Sequence, residues 1–320
     1  MKKIALVFPG QGSQKIGMGK DLYLNHKIGK EVFNEIDQCL NEDLSKLIFN
    51  GNEKDLQLTR NTQPALLAVS MAIIKIIEFE LKKKTEDFVE VVLGHSLGEY
   101  SALCSINCIS LCSGANILRK RGDAMQNAVR NIETSMVAVI GMDLEIIEKE
   151  INRMNKKKNE ICEVANDNCP GQVILSGTKG SVDFISQKLK SLGARSIIEL
   201  NVSAPFHCSL MKNATMVMQD ALSEVVIQKP KIKFINNVNA KFVYNPEEIK
   251  KLLVEQVQSR VRWRESIGEA SRLNLDFIIE IGPGRVLTGL NKRMKVDAEY
   301  FSISTLEDIN NFLKNYGDDL

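Results

Sequence analysis

Apolar residues along this chain come in short dense runs closed by glycine, proline or asparagine, and in longer stretches with helical spacing. Residues 3–8 (KIALVF) form the first run, and Pro9-Gly10-Gln11-Gly12-Ser13-Gln14 closes it as a glycine-rich turn. Residues 89–93, 231–238 and 276–281 also read as buried strands, and Gly282-Pro283-Gly284-Arg285 makes a second glycine-rich turn after the last of them. Residues 63–81 have helical periodicity with Pro64 in the first turn, and a second helical pattern covers 110–128. Strands alternating with helices, with tight turns at strand C-termini, predict a largely parallel α/β sheet whose ligand site lies at those turns.

The middle of the chain breaks this rhythm. A strand at 134–140, a helix at 144–155, strands at 161–165 and 172–176 around an Asn/Pro/Gly turn, a helix at 181–192 and a strand at 195–200 follow in the order βαββαβ. That order predicts a ferredoxin-like antiparallel layer. The expected division is a large α/β part made of 1–130 and 201–320, with 131–200 inserted and a cleft between the two.

The run at 89–93 leads into Gly94-His95-Ser96-Leu97-Gly98-Glu99-Tyr100. A buried strand, then Gly-x-Ser-x-Gly, then a helix-forming segment is the sequence form of a nucleophile elbow, in which a serine sits on a sharp strand-to-helix turn. Flanking glycines let neighbouring backbone pass close by. The first helical N–H groups point at any oxygen bound there. Ser96 is therefore the candidate nucleophile, against the alternative of an ordinary strand-to-helix turn. The first glycine-rich turn is no dinucleotide fingerprint, because Lys15 stands where the third glycine is required.

Composition works mainly by exclusion. The 320 residues include 42 Lys and Arg against 40 Asp and Glu, and the net charge of +2 gives no signal for nucleic acid or a membrane surface. The lysine triplets at 82–84 and 156–158 read as solvated helix ends. Seven cysteines without a Cys-x-x-Cys pair argue against a disulfide framework and against zinc. Cys104, Cys108 and Cys112 recur every four residues, as on one helical face, and read as small buried hydrophobes. Lys2 and Lys3 precede too short an apolar run for a secretory signal. Residues 64–79 are interrupted by Lys75 and Glu78 and are too few to span a bilayer. The expected location is the reducing cytoplasm, which leaves the sequons at Asn201 and Asn213 without weight.

A serine hydroxyl needs a base to take its proton, and the chain has only three histidines. His95 adjoins Ser96, and neighbours on an extended strand end point to opposite sides. His26 lies in a polar stretch and reads as an exposed residue. His207, in Pro205-Phe206-His207-Cys208 after the last strand of the insert, is where the chain returns to the cleft. It is the candidate base. The acceptor that orients its imidazole is open: Asp123, Asp167 and Asp183 fall in the right interval, and a backbone or amide oxygen would serve as well. Arg121 falls on the apolar stripe of its helix with Leu118 and Met125. A guanidinium there needs an anionic partner or a wet cavity. It either pairs structurally with Glu99, snorkels to the surface, or clamps a substrate carboxylate.

With these residues assembled, the chain resembles the malonyl-CoA:acyl carrier protein transacylases, the loading enzymes of bacterial type II fatty-acid synthesis. The resemblance runs from Phe8-Pro9-Gly10-Gln11-Gly12-Ser13-Gln14 through Thr62-Gln63-Pro64-Ala65, the elbow, Arg121-Gly122 and Pro205-Phe206-His207 to Gly282-Pro283-Gly284-Arg285-Val286-Leu287. It implies an α/β-hydrolase-like large subdomain with a parallel sheet and an inserted ferredoxin-like small subdomain. By the same resemblance Ser96 is the nucleophile and His207 its base, the N–H groups of Gln11 and Leu97 form the oxyanion hole, and Arg121 holds the malonyl carboxylate. The main-chain oxygen of Gln256 orients the histidine, and Asn166 touches pantetheine. Leu97 and Phe206 resemble malonyl-selective members.

The implied activity is that of an [acyl-carrier-protein] S-malonyltransferase working by ping-pong through a malonyl-serine. Its partners are malonyl-CoA and acyl carrier protein, with no cofactor or metal, no nucleic acid and no membrane, and the chain acts as a monomer. Arg260, Arg262, Arg264, Lys292, Arg293 and Lys295 are candidate contacts for an acidic carrier protein. A serine esterase or thioesterase would use the same elbow and histidine, and a hydrolase of neutral esters has no use for Arg121.

Overall fold

The computed structural model describes residues 2–129, 132–154, 161–202 and 204–320. Its strands are β1 (Ile4–Phe8), β2 (Val91–Gly94), β3 (Thr134–Ile140), β4 (Cys162–Cys169), β5 (Gln172–Thr178), β6 (Ser196–Glu199), β7 (Lys233–Ile235), β8 (Phe277–Ile281) and β9 (Glu299–Ile303). Five of them form a parallel sheet in the order β7-β2-β1-β8-β9. Its central strands are buried on both faces, which is why they read as apolar runs, broken in β8 only by the buried Glu280. Leu6 and Phe8 pack with the long helix Thr59–Leu81 on one side, while Ala5 and Val7 meet Trp263 and Ile267 on the other.

The remaining four strands make an antiparallel sheet, β4-β5-β3-β6. The helices Leu144–Met154 and Lys179–Ser191 pack on one of its faces. Met136, Ala138 and Ile174 on the other face join the core of the large sheet. The outer edge of β4 is tied to the large part of the molecule. Val261 N–H donates to Ala165 O at 2.8 Å, Asp167 N–H donates to Val261 O at 3.0 Å, and Arg264 pairs with buried Asp167 at 2.8 Å. An edge that would otherwise be bare thus fixes one wall of the cleft.

Several elements differ from their sequence pattern, each for a local reason. The helix expected from residue 63 begins at Thr59, so Pro64 lies inside it rather than in its first turn. The proline ring has no N–H for Arg60 O, and Arg119 Nη1 donates to that carbonyl instead. The strand expected over 231–238 shrinks to β7 because Asn236 Oδ1 accepts from Val238 N–H and Asn239 N–H, turning the chain away from the ladder. β4 runs four residues past its expected end, with two bulges that re-aim its side chains.

Cys104, Cys108 and Cys112 do not share a helical face. The helix Gly98–Ser105 ends before Asn107, which adopts φ 56°, and Ser110 caps a new helix, Leu111–Asn127. Cys104 and Cys108 are buried thiols, but Cys112 forms a disulfide with Cys39 across a Cα separation of 5.4 Å. That pair sits where the helix Lys27–Leu40 packs on Leu111–Asn127 and is 73 residues apart in sequence, so no spacing rule marks it. His26 is not a free exposed side chain either. Its Nδ1 accepts from Ile28 N–H as a helix cap and its Nε2 meets Glu80. The lysines at 156–158, Asn155 and the junction residues 130 and 131 lie outside the described residues.

The elbow depends on close backbone approach. A Cβ on Gly98 would lie 2.2 Å from Phe8 O, and one on Gly94 would lie 1.9 Å from Gly98 C. Gly98→Ala is expected to cost at least about 1–3 kcal/mol by overpacking, seen as a lower urea midpoint. An unchanged midpoint would show that β1 and the elbow are not in this contact.

Candidate active site

Loops at the C-terminal ends of β1, β2 and β7 converge, as expected for a parallel sheet, and the turn after β8 packs against the β1 turn at Pro9. Ser96 follows β2 with φ 55°, a left-handed conformation that few non-glycine residues adopt without support. Its support is specific. Asn237, just after β7, accepts from Ser96 N–H with Oδ1 at 2.7 Å and donates from Nδ2 to Gly94 O at 2.7 Å. Gln256, at the end of the helix Pro246–Gln256, donates from Nε2 to Ser96 O at 2.9 Å.

His207 also holds a left-handed backbone, φ 57°, and its Nε2 lies 2.8 Å from Ser96 Oγ. Its Nδ1 faces two carbonyls, Gln256 O at 2.9 Å and Ser259 O at 3.1 Å. Only a protonated Nδ1 satisfies both, which leaves Nε2 as the acceptor for the serine proton. Burial, and next the charge of Arg121, hold the imidazole well below its ordinary range, at about 3. The histidine is therefore neutral at neutral pH. None of the three aspartates considered from the sequence reaches it: Asp123 pairs with Arg60, Asp167 with Arg264 and Asp183 with Lys179. His95 turns to Asn168 Oδ1 at 2.9 Å and stacks at an angle on Trp263.

Arg121 is 1% exposed and its head is held by amides. Nη1 donates to Gln63 Oε1 at 2.8 Å, and Nη2 to Gln256 Oε1 at 2.8 Å and to Ser96 Oγ at 3.2 Å. Among the described residues no carboxylate lies within ion-pair distance of it, so the expected alternatives of a direct Glu99 pair and of snorkelling do not describe its surroundings. Burial lowers its pKa, yet a guanidinium stays charged in proteins.

Ser96, His207, Arg121, Gln63, Gln11, Leu97 and Asn166 all line one cavity of about 210 Å³, walled by Met125, Met136 and Phe206. Among the described residues the N–H groups of Gln11 and Leu97 have no protein acceptor, and both border this space. Gln11 is propped by its side chain against Thr59 Oγ1 at 3.3 Å. A larger hollow of about 640 Å³ lies between the two helices of the antiparallel layer, and none of these residues borders it. Sequence reasoning missed Asn237, Gln63 as a guanidinium partner, and Glu99 as more than a possible ion pair. Of these, Gln63 and Glu99 lay in motifs already singled out, and Asn237 did not.

The arrangement can deliver a proton-abstracting imidazole to a hydroxyl, two N–H donors to a developing oxyanion and an uncompensated cation to a bound anion. Comparison with known proteins agrees in kind. The acyl transferase domain family matches residues 5–302. The malonyl CoA-acyl carrier protein transacylase of Bacillus subtilis (strain 168) is 41% identical over 309 residues, covering 97% of this chain and 96% of that protein. The structure of acyl-carrier-protein-S-malonyltransferase from Bartonella henselae superposes with a TM-score of 0.94 at 43% identity, over 98% of this chain and 99% of that one. A malonyl-transacylase solved in complex with a type II polyketide acyl-carrier protein gives a TM-score of 0.92 at 35% identity, over 98% of this chain and 99% of that one.

A base held neutral has a pH signature. An ordinary histidine near 6.5 would lose roughly thirtyfold in neutral fraction by pH 5, whereas Ser96 labelling by a fluorophosphonate should stay nearly constant from pH 7 to 5. Arg121→Ala, by removing a positive neighbour, should move the acid limb toward neutrality. The stability sign follows: the folded pKa is depressed, so this contribution is present above 6.5 and is lost as pH falls toward 3. A wild-type limb near 6.5 would show that burial and Arg121 do not depress the His207 imidazole.

Proposed function

The chain belongs to the malonyl CoA-acyl carrier protein transacylases of the acyl transferase domain family, and from that membership we propose how it moves a malonyl group from malonyl-CoA to the phosphopantetheine thiol of acyl carrier protein. Ser96 Oγ attacks the thioester carbon as His207 Nε2 takes its proton, and the carbonyl oxygen becomes an oxyanion facing Gln11 N–H and Leu97 N–H. Collapse expels the CoA thiolate, which takes the proton from the imidazolium, and leaves malonyl-serine. The carrier thiol then enters, gives its proton to His207 and attacks the ester, and the proton returns to Ser96.

The observation that carries the reading is the chemistry of Arg121. A buried cation ringed by neutral amides is complementary to a small anion, and the free carboxylate of a malonyl group supplies one. In this proposal Gln256 orients His207 through its main-chain oxygen, and Asn166 borders the path of the pantetheine arm. Residues 1–130 and 201–320 act as the catalytic subdomain, with 131–200 as the inserted wall of the cleft. In this proposal the chain acts as a monomer in the cytoplasm, without a cofactor, nucleic acid or membrane. No described helix is long and apolar enough to cross a membrane.

Four of the six basic carrier contacts considered earlier are engaged within the chain. Arg260 pairs with Glu148, Arg262 with Glu265 and Arg264 with Asp167, and Arg293 donates to Gln172. Exposed Lys292 and Lys295 are the better candidates for an acidic carrier.

Intact-protein mass spectrometry after mixing with malonyl-CoA should show one malonyl group on Ser96, lost on adding holo-carrier protein. Loss to water alone would make the chain a hydrolase. Arg121→Ala should reduce malonyl loading about tenfold to a hundredfold relative to acetyl loading, the worth of one charged hydrogen-bonded contact. Equal losses for the two acyl groups would remove the clamp.

A further inference from the structure

Glu99 is fully buried one turn after the nucleophile, and no step above uses it. Its two oxygens are each taken by a different residue. Oε1 accepts from Asn237 N–H, and Oε2 accepts from Gln256 Nε2 at 2.6 Å. Those partners hold the two peptide groups that flank the Ser96 Cα, Asn237 at the N–H of Ser96 and Gln256 at its C=O. Gln256 reaches further, accepting from Arg121 with its side chain and from His207 with its main chain. Nucleophile, base and clamp are thus each one residue away from a single carboxyl group.

We propose that Glu99 is a positioning residue that sets Ser96, His207 and Arg121 in mutual register through Asn237 and Gln256. The inference rests on the malonyl-transfer reading for its substrate but not for its geometry. Both neighbours present N–H groups, so the carboxylate is the form that satisfies them. Burial opposes this and leaves the group raised to about 8 even with the two donors and the nearby Arg121 charge pulling it down, so it is the pair of N–H donors facing its two oxygens that argues for the ionised form. Arg121 touches only neutral acceptors but lies in the field of this negative charge. The arrangement keeps the guanidinium tolerable in the interior while leaving its head open to a second anion.

The substitution Glu99→Gln tests the idea because an amide must turn its NH₂ toward one of two donors. The expected result for folded protein is a kcat for malonyl-serine formation about tenfold or more below wild type, from a lost charged hydrogen bond. Fluorophosphonate labelling of Ser96 should slow comparably. The KM for malonyl-CoA should not rise, because the charge removed is negative; Arg121→Ala should raise it. Glu99→Asp, which keeps the charge but draws it back by one methylene, should show the same fall in kcat and serves if the Gln variant does not fold. Folded variants that label and turn over at the wild-type rate would overturn the proposal, as would a raised KM with kcat intact. Labelling involves no malonyl group, so a wild-type protein that labels but never loads malonyl would sink the transfer reading and leave this inference standing.

Discussion

A guanidinium buried without an ion-paired carboxylate is the constraint around which the cleft is organised. Desolvating a charge is costly unless hydrogen bonds and opposite charge offset it. Here the offset is split. Gln63 and Gln256 accept from Arg121, the Tyr100 ring lies 5.8 Å from its guanidinium carbon, and the Glu99 carboxyl group stands beyond them. A direct Glu99–Arg121 pair would have been the simpler structure, but it would have satisfied the cation internally. Ringing it with amides leaves electrostatic demand unmet at the cavity surface, and a small carboxylate entering there meets it.

The same charge shapes the base. Arg121 and burial together keep His207 neutral, which is the protonation state that can accept from Ser96. A triad aspartate would work against that by favouring the imidazolium. Two main-chain carbonyls instead fix the Nδ1–H tautomer with far less pull on the proton. Among the described residues no acid holds His207 and no carboxylate pairs directly with the cation near it, and these are linked features. Each suits a site whose substrate brings its own negative charge.

Much of this was legible from residue pattern. Four of the five strands of the parallel sheet, the βαββαβ insert and the elbow followed from apolar runs and glycines, because strand burial on two faces and backbone crowding at Gly94 and Gly98 leave direct marks on residue type. Picking His207 needed only elimination among three histidines. The illegible parts are those whose cause lies far away in sequence. β9 and the helix Lys20–Asn25 have ordinary mixed compositions and are specified by packing, whereas Leu306–Tyr316 does carry a local mark, the Thr305–Asp308 capping box. The Cys39–Cys112 bond depends on how two helices meet. Asn237 sits in a polar run, Asn236-Asn237-Val238-Asn239, that reads as a loop, and nothing local says that one of its amides holds a peptide 141 residues away.

Ser96 and His207 both sit at positive φ, and the energetics of that choice tie the site to its supports. Left-handed backbone at a non-glycine residue costs of order 1–3 kcal/mol and persists only when the surroundings over-determine it. At Ser96 the surroundings are Asn237 and Gln256, gripping the two peptide groups that flank the strained Cα. At His207 the ring itself is gripped, by Gln256 O and Ser259 O. Gln256 appears in both sets and in the hold on Arg121, so relaxation at any one of the three would pull on the same residue. A site built this way resists small displacements collectively. It also concentrates the consequences of change in residues that touch no substrate, which is why the groups behind the cleft carry as much of its chemistry as those that line it.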